Sequence, residues 1–314
     1  MSLRKIACLW ALTLGVAPAL AQAQVVPGSG TLLVTACDDF EDEKWNFTYN
    51  LPKASSNIDK TVRHPAGLSA NYKWHESTYR GTPDHVKRVE TPAGGIPGSK
   101  GALAIQTLNS GIPGQISNKF QQDDLIAGLA QTIGYLPVNR SPSFVVRVYM
   151  PPFEQWEKRT GSHFGFRADC QTTIDNPGSS GFGRLRRSTP SKKLENYWPG
   201  FFVQFNRKAD GYQEDHAILL LRSGSRGEDV PGPKITTPGW WTIGMSFTPD
   251  GQVHYYAKPG VDDLKTSDHL YSSFPYSYRC QQVNTYFFNI VNQDDGKTWS
   301  TRFIVDDPKI YAVQ

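Results

Sequence analysis

A period-two alternation of apolar and polar residues dominates the second half of the chain. "SFVVRVYM" (143–150) sets Phe144, Val146 and Val148 against Val145, Arg147 and Tyr149. "HFGFRADC" (163–170) sets Phe164, Phe166 and Ala168 against His163, Gly165 and Arg167. "FFVQFN" (201–206) sets Phe201, Val203 and Phe205 against Phe202, Gln204 and Asn206. Each reads as a strand with one buried face. "AILLLRSG", "WWTIGMSF", "TYFFNIVN" and "FIVDDPKIYAV" extend the series. "TPDG" (248–251) is a turn signal, so "WWTIGMSF" and "QVHYYAK" predict a hairpin. Helical spacing is confined to 121–131, where Leu125, Ile126 and Leu129 predict one short helix. Residues 171–200 read as a long excursion between strands. The expected fold is an all-β antiparallel sandwich with long loops.

Composition agrees: 28 glycines, 22 prolines and 12% aromatic residues suit short strands joined by turns. The first 23 residues read as a signal peptide, with Arg4 and Lys5 ahead of an apolar run and small-residue cleavage sites near Ala21 and Ala23. Residues 24–314 are then one β-jelly-roll domain, secreted or periplasmic, with no stretch long enough to insert in a membrane. Without Arg4 and Lys5 the net charge is about +2, which offers no reason to expect nucleic acid. Cys37, Cys170 and Cys280 remain after the leader and match no zinc or C-x-x-C spacing. One disulfide and one free thiol are expected, without a sequence basis for the pairing.

"CDDFEDEKW" (37–45) resembles the opening strand of concanavalin A-like lectin/glucanase jelly rolls, and "IVDDPKIYAV" (304–313) resembles their last strand, which returns beside the first. The hairpin "WWTIGMSFTPDGQVHYYAKPGV" (240–261) is similar to that of laminin-G-like members. The resemblance implies a structural calcium with Glu41 and Asp306 as oxygen donors. No other cofactor is expected. The superfamily includes lectins, glycosidases, polysaccharide lyases and adhesion modules, so the fold alone does not choose an activity.

Candidate chemistry centres on one strand. Gln252-Val253-His254 and Tyr256-Ala257-Lys258-Pro259-Gly260 resemble the Q-x-H and Y-x-K-x-G motifs of alginate-lyase-type enzymes, although those sit on two strands and these run consecutively. β-Elimination from a uronic acid needs its carboxylate neutralised, a base for the C5 proton and an acid for the leaving oxygen. His254 and Tyr256 are the expected proton-transfer pair. Arg147, His163, Arg167, Gln204, Asn206, Gln252, Lys258 and Asn289 are the expected substrate contacts if their faces line one groove. Trp198 and the basic segment Arg184, Arg186, Arg187, Lys192 and Lys193 add a stacking surface and positive charge. Trp240 is a further candidate contact, and Trp241 is expected in the core.

The expected partner is therefore a polysaccharide of anionic type, cleaved by a lyase. A non-catalytic glycan-binding or surface-adhesion module is the first alternative, and a glycoside hydrolase the second. The paired carboxylates of a hydrolase have no obvious single strand here, because Glu214 and Asp215 are adjacent and point to opposite faces. No G-x-S-x-G motif or zinc helix is present.

Overall fold

The computed structural model describes residues 25–64, 66–176 and 191–313. The expected leader and Arg184, Arg186 and Arg187 lie outside the described residues. In chain order the strands begin with β1 (Thr31–Leu32), β2 (Phe47–Thr48), β3 (Leu68–Ser69), β4 (Trp74–Glu76), β5 (His85–Glu90), β6 (Gly101–Gln106) and β7 (Gln121–Ala127). After the short helix α1 (Leu129–Thr132) come β8 (Leu136–Pro137), β9 (Ser143–Met150), β10 (Gly161–Asn176), β11 (Ser191–Tyr197), β12 (Gly200–Asn206) and β13 (His216–Arg222). The last are β14 (Asp229–Ile235), β15 (Gly239–Phe247), β16 (Val253–Pro259), β17 (His269–Ser273), β18 (Gln282–Asn292) and β19 (Phe303–Ala312).

Among the described residues these strands form two antiparallel sheets. One has eight strands in the order β17-β16-β15-β9-β19-β6-β5, with β1 beside β19. The other has eleven, in the order β14-β13-β12-β10-β18-β7-β4-β3-β2, with β11 on β10 and β8 on β18. Their facing sides build the core. Phe144, Val146, Val148, Ile243, Met245 and Tyr255 come from the first sheet, and Phe164, Phe166, Val203, Phe205, Phe288 and Leu125 from the second. The all-β sandwich expected from the alternation is present. So is the TPDG hairpin: Phe247 pairs with Val253, and Gly251, at φ +85°, turns the chain.

Other expectations change. The 121–131 helix is mostly strand: β7 turns Leu125 and Ala127 into the core, and only the single turn α1 follows. Pairing with β18 and β4 overrides the local helical spacing. "CDDFEDEKW" forms no strand; the early strand that pairs with the end of β19 is β1, upstream of it, with Thr31 opposite Ala312. The acidic segment instead carries Asp38, a buried carboxylate that accepts from the Trp45 and Trp74 indoles at 3.1 and 2.8 Å and from Asn71 at 2.9 Å. The 171–200 excursion begins and ends as a hairpin, in which β10 runs on to Asn176 and β11 pairs back from Ser191. Cys37, Cys170 and Cys280 are all free thiols, where one disulfide was expected.

Candidate functional site

Each sheet has an outer face, and the expected contact residues divide between the two. On the eight-stranded sheet, β16 sends His254, Tyr256 and Lys258 outward, and β9 sends Arg147 and Tyr149 outward. That face is covered. Tyr256 is fully buried, packed with Val145 and Leu264 under Val26 and Tyr311. His254 is 2% exposed and engaged on both nitrogens, Nε2 with Thr248 Oγ1 at 3.0 Å and Nδ1 with Ser272 Oγ at 2.6 Å. Burial, with repulsion from His269, pulls its pKa down to about 4 despite Asp250 nearby. Arg147 donates to the Val261 carbonyl at 3.1 Å and pairs with Asp263 at 2.5 Å and Asp307 at 3.6 Å. Lys258 sits 3.7 Å from Asp262, and Gln252 precedes the strand in the turn. Trp240 is buried against Ala102, Ala104 and Ile304 rather than offered to a ligand, and Trp241 is in the core.

His163 reaches neither outer face. A β-bulge between Ser162 and Phe164 shifts the register of β10 on β12 and turns His163 inward. There it is fully buried against Trp156 and Phe205, bonded to Thr301 Oγ1 at 2.7 Å and to the Arg159 carbonyl at 3.2 Å. Burial and the Arg159 charge hold its pKa well below the usual imidazole value.

The outer face of the eleven-stranded sheet gathers the remainder. Arg167 on β10, Gln204 and Asn206 on β12, and Asn289 on β18 alternate with core residues and so point away from the sandwich. Across the strands the register sets Leu220, Phe202, Gly165, Asn289 and Asp124 in one row. The next row holds Asp229, Arg222, Gly200, Arg167, Phe287 and Ile126. Gly165 and Gly200 leave room for their neighbours. A Cβ at 165 would stand 2.5 Å from Asn289 Oδ1 and 3.1 Å from the Phe202 ring, and one at 200 would stand 2.8 Å from Arg167 Cγ. Lys192 and Lys193 are exposed on β11, where Lys193 pairs with Glu195 at 2.8 Å.

The electrostatics of this face set it apart. Arg167 is 8% exposed, its guanidinium carbon 5.1 Å from the Phe202 ring centre and 5.6 Å from that of Phe287. Nε and Nη2 both donate to the Trp198 carbonyl, at 3.2 and 2.8 Å. No carboxylate among the described residues lies within 4.0 Å of it, whereas Arg222 beyond Gly200 is held by Asp229 at 2.6 and 3.0 Å. Burial, reinforced by the Arg222 charge, pulls the Arg167 pKa down to about 10 against the opposing pull of Tyr276, Asp124 and Asp229. Asn289 is fully buried; its amide nitrogen donates to Asp124 at 2.6 Å, and its Oδ1 has no hydrogen-bond partner among the described residues. Burial raises the Asp124 pKa, and it raises that of Asp169 to about 6, two residues beyond Arg167 on the same face. Gln204 donates to Asn206, which meets His216 at 3.1 Å.

The pattern-based reading missed Phe202, Arg222, Asp124 and Tyr276. The first two were legible from alternation alone; Asp124 lay inside the segment read as helix. Tyr276 comes from the loop before β18, in a left-handed conformation at φ +59° and ψ 15°, an uncommon state for a tyrosine. Its ring closes on Gly227, leaving no room there for a Cβ, and its phenol lies beside the Arg222 guanidinium.

Two other clusters are wholly or partly engaged. A cavity of about 290 Å³ beside Tyr49, Lys53, Arg63, Glu76 and Asp84 has its charged groups already hydrogen-bonded or ion-paired. Lys53 meets Asp84 at 3.0 Å and Asp123 at 2.7 Å, Arg63 donates to the Pro52 and Leu51 carbonyls, and Glu76 accepts from the Asn50 and Gly67 backbone N–H groups. Glu41 and Asp306, expected as calcium donors, approach one another through Ser99. Its hydroxyl donates to Asp306 at 2.9 Å and interacts with Glu41. Glu41 also accepts from the Lys100 and Gly101 N–H groups, and burial drives the Asp306 pKa up to about 7. Two carboxylates and a hydroxyl are donors of the right kind for calcium, which fills its shell with carbonyl oxygens and water.

No protein-family model and no curated protein sequence matches the chain. Solved structures do. A β-glucanase catalytic domain from Podospora anserina aligns with a TM-score of 0.44 and 10% identity, over 86% of this chain and 97% of that one. A carbohydrate esterase from a Shiga toxin-encoding bacteriophage gives 0.43 and 9%, over 85% and 100%. An alginate lyase from Pseudomonas aeruginosa gives 0.39 and 10%, over 85% and 97%. Other alginate lyases and a carbohydrate-binding module are also among the structures it is similar to.

Proposed function

We propose that the protein is secreted or periplasmic and engages an acidic polysaccharide along the outer face of its eleven-stranded sheet. The observation that carries this reading is Arg167, a buried guanidinium on an outer face with no carboxylate among the described residues within 4.0 Å. Asp124 and Asp229 attract this charge only from beyond 4.0 Å, and a ligand carboxylate supplies the direct contact in a geometry that suits the planar guanidinium. Asn289 Oδ1, one row away and lacking a donor, is matched by a sugar hydroxyl. Phe202 and Phe287, themselves buried, pack against the Arg167 guanidinium and fix its position for the carboxylate contact.

A second reading adds cleavage by β-elimination, and Tyr276 is the observation that favours it. Its left-handed backbone holds a phenol beside Arg222 and near Arg167, where a uronate carboxylate would be neutralised. In that reading the Tyr276 oxygen, in its phenolate form, takes the C5 proton. The C4–O bond then breaks, and the proton passes to the leaving oxygen. Tyr276 replaces His254 and Tyr256 in this role, because those two are buried in the opposite sheet. Calcium at Glu41 and Asp306 belongs to the same proposal, as a structural ion.

The test is incubation with alginate, polygalacturonate and hyaluronate, with retention in affinity electrophoresis and ultraviolet absorbance of the unsaturated product followed together. Retention lost in Arg167→Met supports the binding face; new absorbance lost in Tyr276→Phe, with retention intact, supports elimination. Retention of a polymer that is equal in the wild type and Arg167→Met would overturn the site.

A further inference from the structure

We infer that the binding face is bounded by two aromatic platforms, Phe120 and Trp198, and holds a run of about four sugar units between them; this rests on the binding face proposed above. Phe120 immediately precedes β7, two strands away from β10. Asp124 shares the outer face with Asn289, and the alternation carries back through Gln122 to Phe120. The residue is 54% exposed. Its side chain reaches past β18, so that a Cβ at Gly161, the first residue of β10, would stand 2.9 Å from the ring. The ring is fixed by the Arg159 guanidinium, 4.7 Å from its centre. Arg159 is itself held by Glu157 at 2.8 Å and by the Ser162 and Val291 carbonyls at 2.7 Å, while its buried Nη1 has no partner among the described residues.

Trp198 marks the other end. Its neighbour Tyr197 is buried in the core, so alternation sends Trp198 outward, and 41% of it is exposed. Its carbonyl takes both Arg167 donors, and the next residue, Pro199, accepts from the Ala168 N–H at 2.9 Å. The backbone under Trp198 is thus anchored beside Arg167. With the bulge at His163 taking up one residue, β10 advances five register steps from Gly161 to Arg167, about 17 Å, room for roughly three to four sugar rings laid end to end. Between the platforms the face is polar: Gln122, Asp124, Asn289 and Arg167. Single exposed aromatics are common on any surface. Two at opposite ends of one polar face, one ring held by Arg159 and the other carried on a backbone anchored by Arg167, match a chain of amphipathic rings.

The experiment is calorimetric titration with oligouronates of two to six units, cut from whichever of the three polymers is retained most strongly. Affinity should rise with length to about four units and then level off. Phe120→Ala should cut affinity for the tetramer about tenfold and leave the dimer unchanged, because the dimer sits at Arg167. Trp198→Ala should weaken every length. A plateau already at the dimer, or tetramer binding that is unchanged in Phe120→Ala while Arg167→Met abolishes it, would overturn the inference and leave the binding face standing. Retention of none of the three polymers would overturn the face and the platforms together.

Discussion

Replacing Arg167 by methionine separates a functional cation from a structural one. The side chain makes two hydrogen bonds to one carbonyl and two cation–π contacts. A hydrogen bond from a charged group contributes about 1.5–3 kcal/mol, and each exposed-type cation–π contact about 0.5–1 kcal/mol. Against these stands the desolvation of the charge, several kcal/mol per ion in real proteins, offset in part by Asp124 and Asp229 at longer range. Methionine keeps much of the volume and fits between Phe202 and Phe287. The opposing contributions are of similar size, so unfolding free energy should move by about 1 kcal/mol or less in either direction. Affinity should not escape so lightly. Removing one partner of a desolvated charge pair costs about 2–5 kcal/mol, roughly thirtyfold or more in Kd. Arg167→Lys should not restore it, since an ammonium lacks the planar fork. The assay pairs urea unfolding with titration of the retained polyuronate at low and at moderate salt. Binding that survives added salt in the wild type fits a buried contact, which is screened less than a surface one. A variant that unfolds several kcal/mol more easily yet binds normally would make Arg167 a structural cation and refute the reasoning.

Three further outcomes are expected. His254 has its folded pKa depressed to about 4 by burial first and His269 second, with Asp250 opposing, so the folded state binds fewer protons than the unfolded one between about pH 4 and 6.5. Its contribution is therefore lost as pH falls through that window, and the Tm advantage of wild type over His254→Gln should shrink between about pH 7 and pH 4.5; parallel curves would contradict this. Cys170 and Cys280 are both buried free thiols with side chains in contact, whereas Cys37 lies elsewhere. Refolding with a small-molecule disulfide should join them by thiol–disulfide exchange, leaving Cys37 alone open to alkylation and adding about 2–4 kcal/mol of stability; a mass spectrum pairing Cys37 instead would refute the assignment. Calcium chloride should raise Tm in the wild type and not in Asp306→Asn, and an equal rise in both would exclude Asp306 as a donor.

Alternation along a strand tells which residues share a face, and here it did so well: Arg167 with Gly165, Gln204 with Asn206, His254 with Tyr256. It carries no information on which sheet a strand joins. Arg147 and Gln204 both alternate outward, yet the core lies between them. That single missing fact dissolved the expected groove. Nor does alternation register what covers a face. Tyr256 looks solvent-facing in the pattern and is sealed by Val26 and Leu264, segments distant in sequence or irregular in structure. A one-residue bulge then sufficed to carry His163 from the outer face to the core. The better local signals were glycines. Gly165 and Gly200 interrupt otherwise bulky strands where Asn289 presses on the first and the Phe166–Arg167 backbone on the second, and a strand glycine often marks a close approach. Together with their register partners Phe202 and Arg222, they point to the eleven-stranded sheet, where the Q-x-H and Y-x-K-x-G letters pointed to the other.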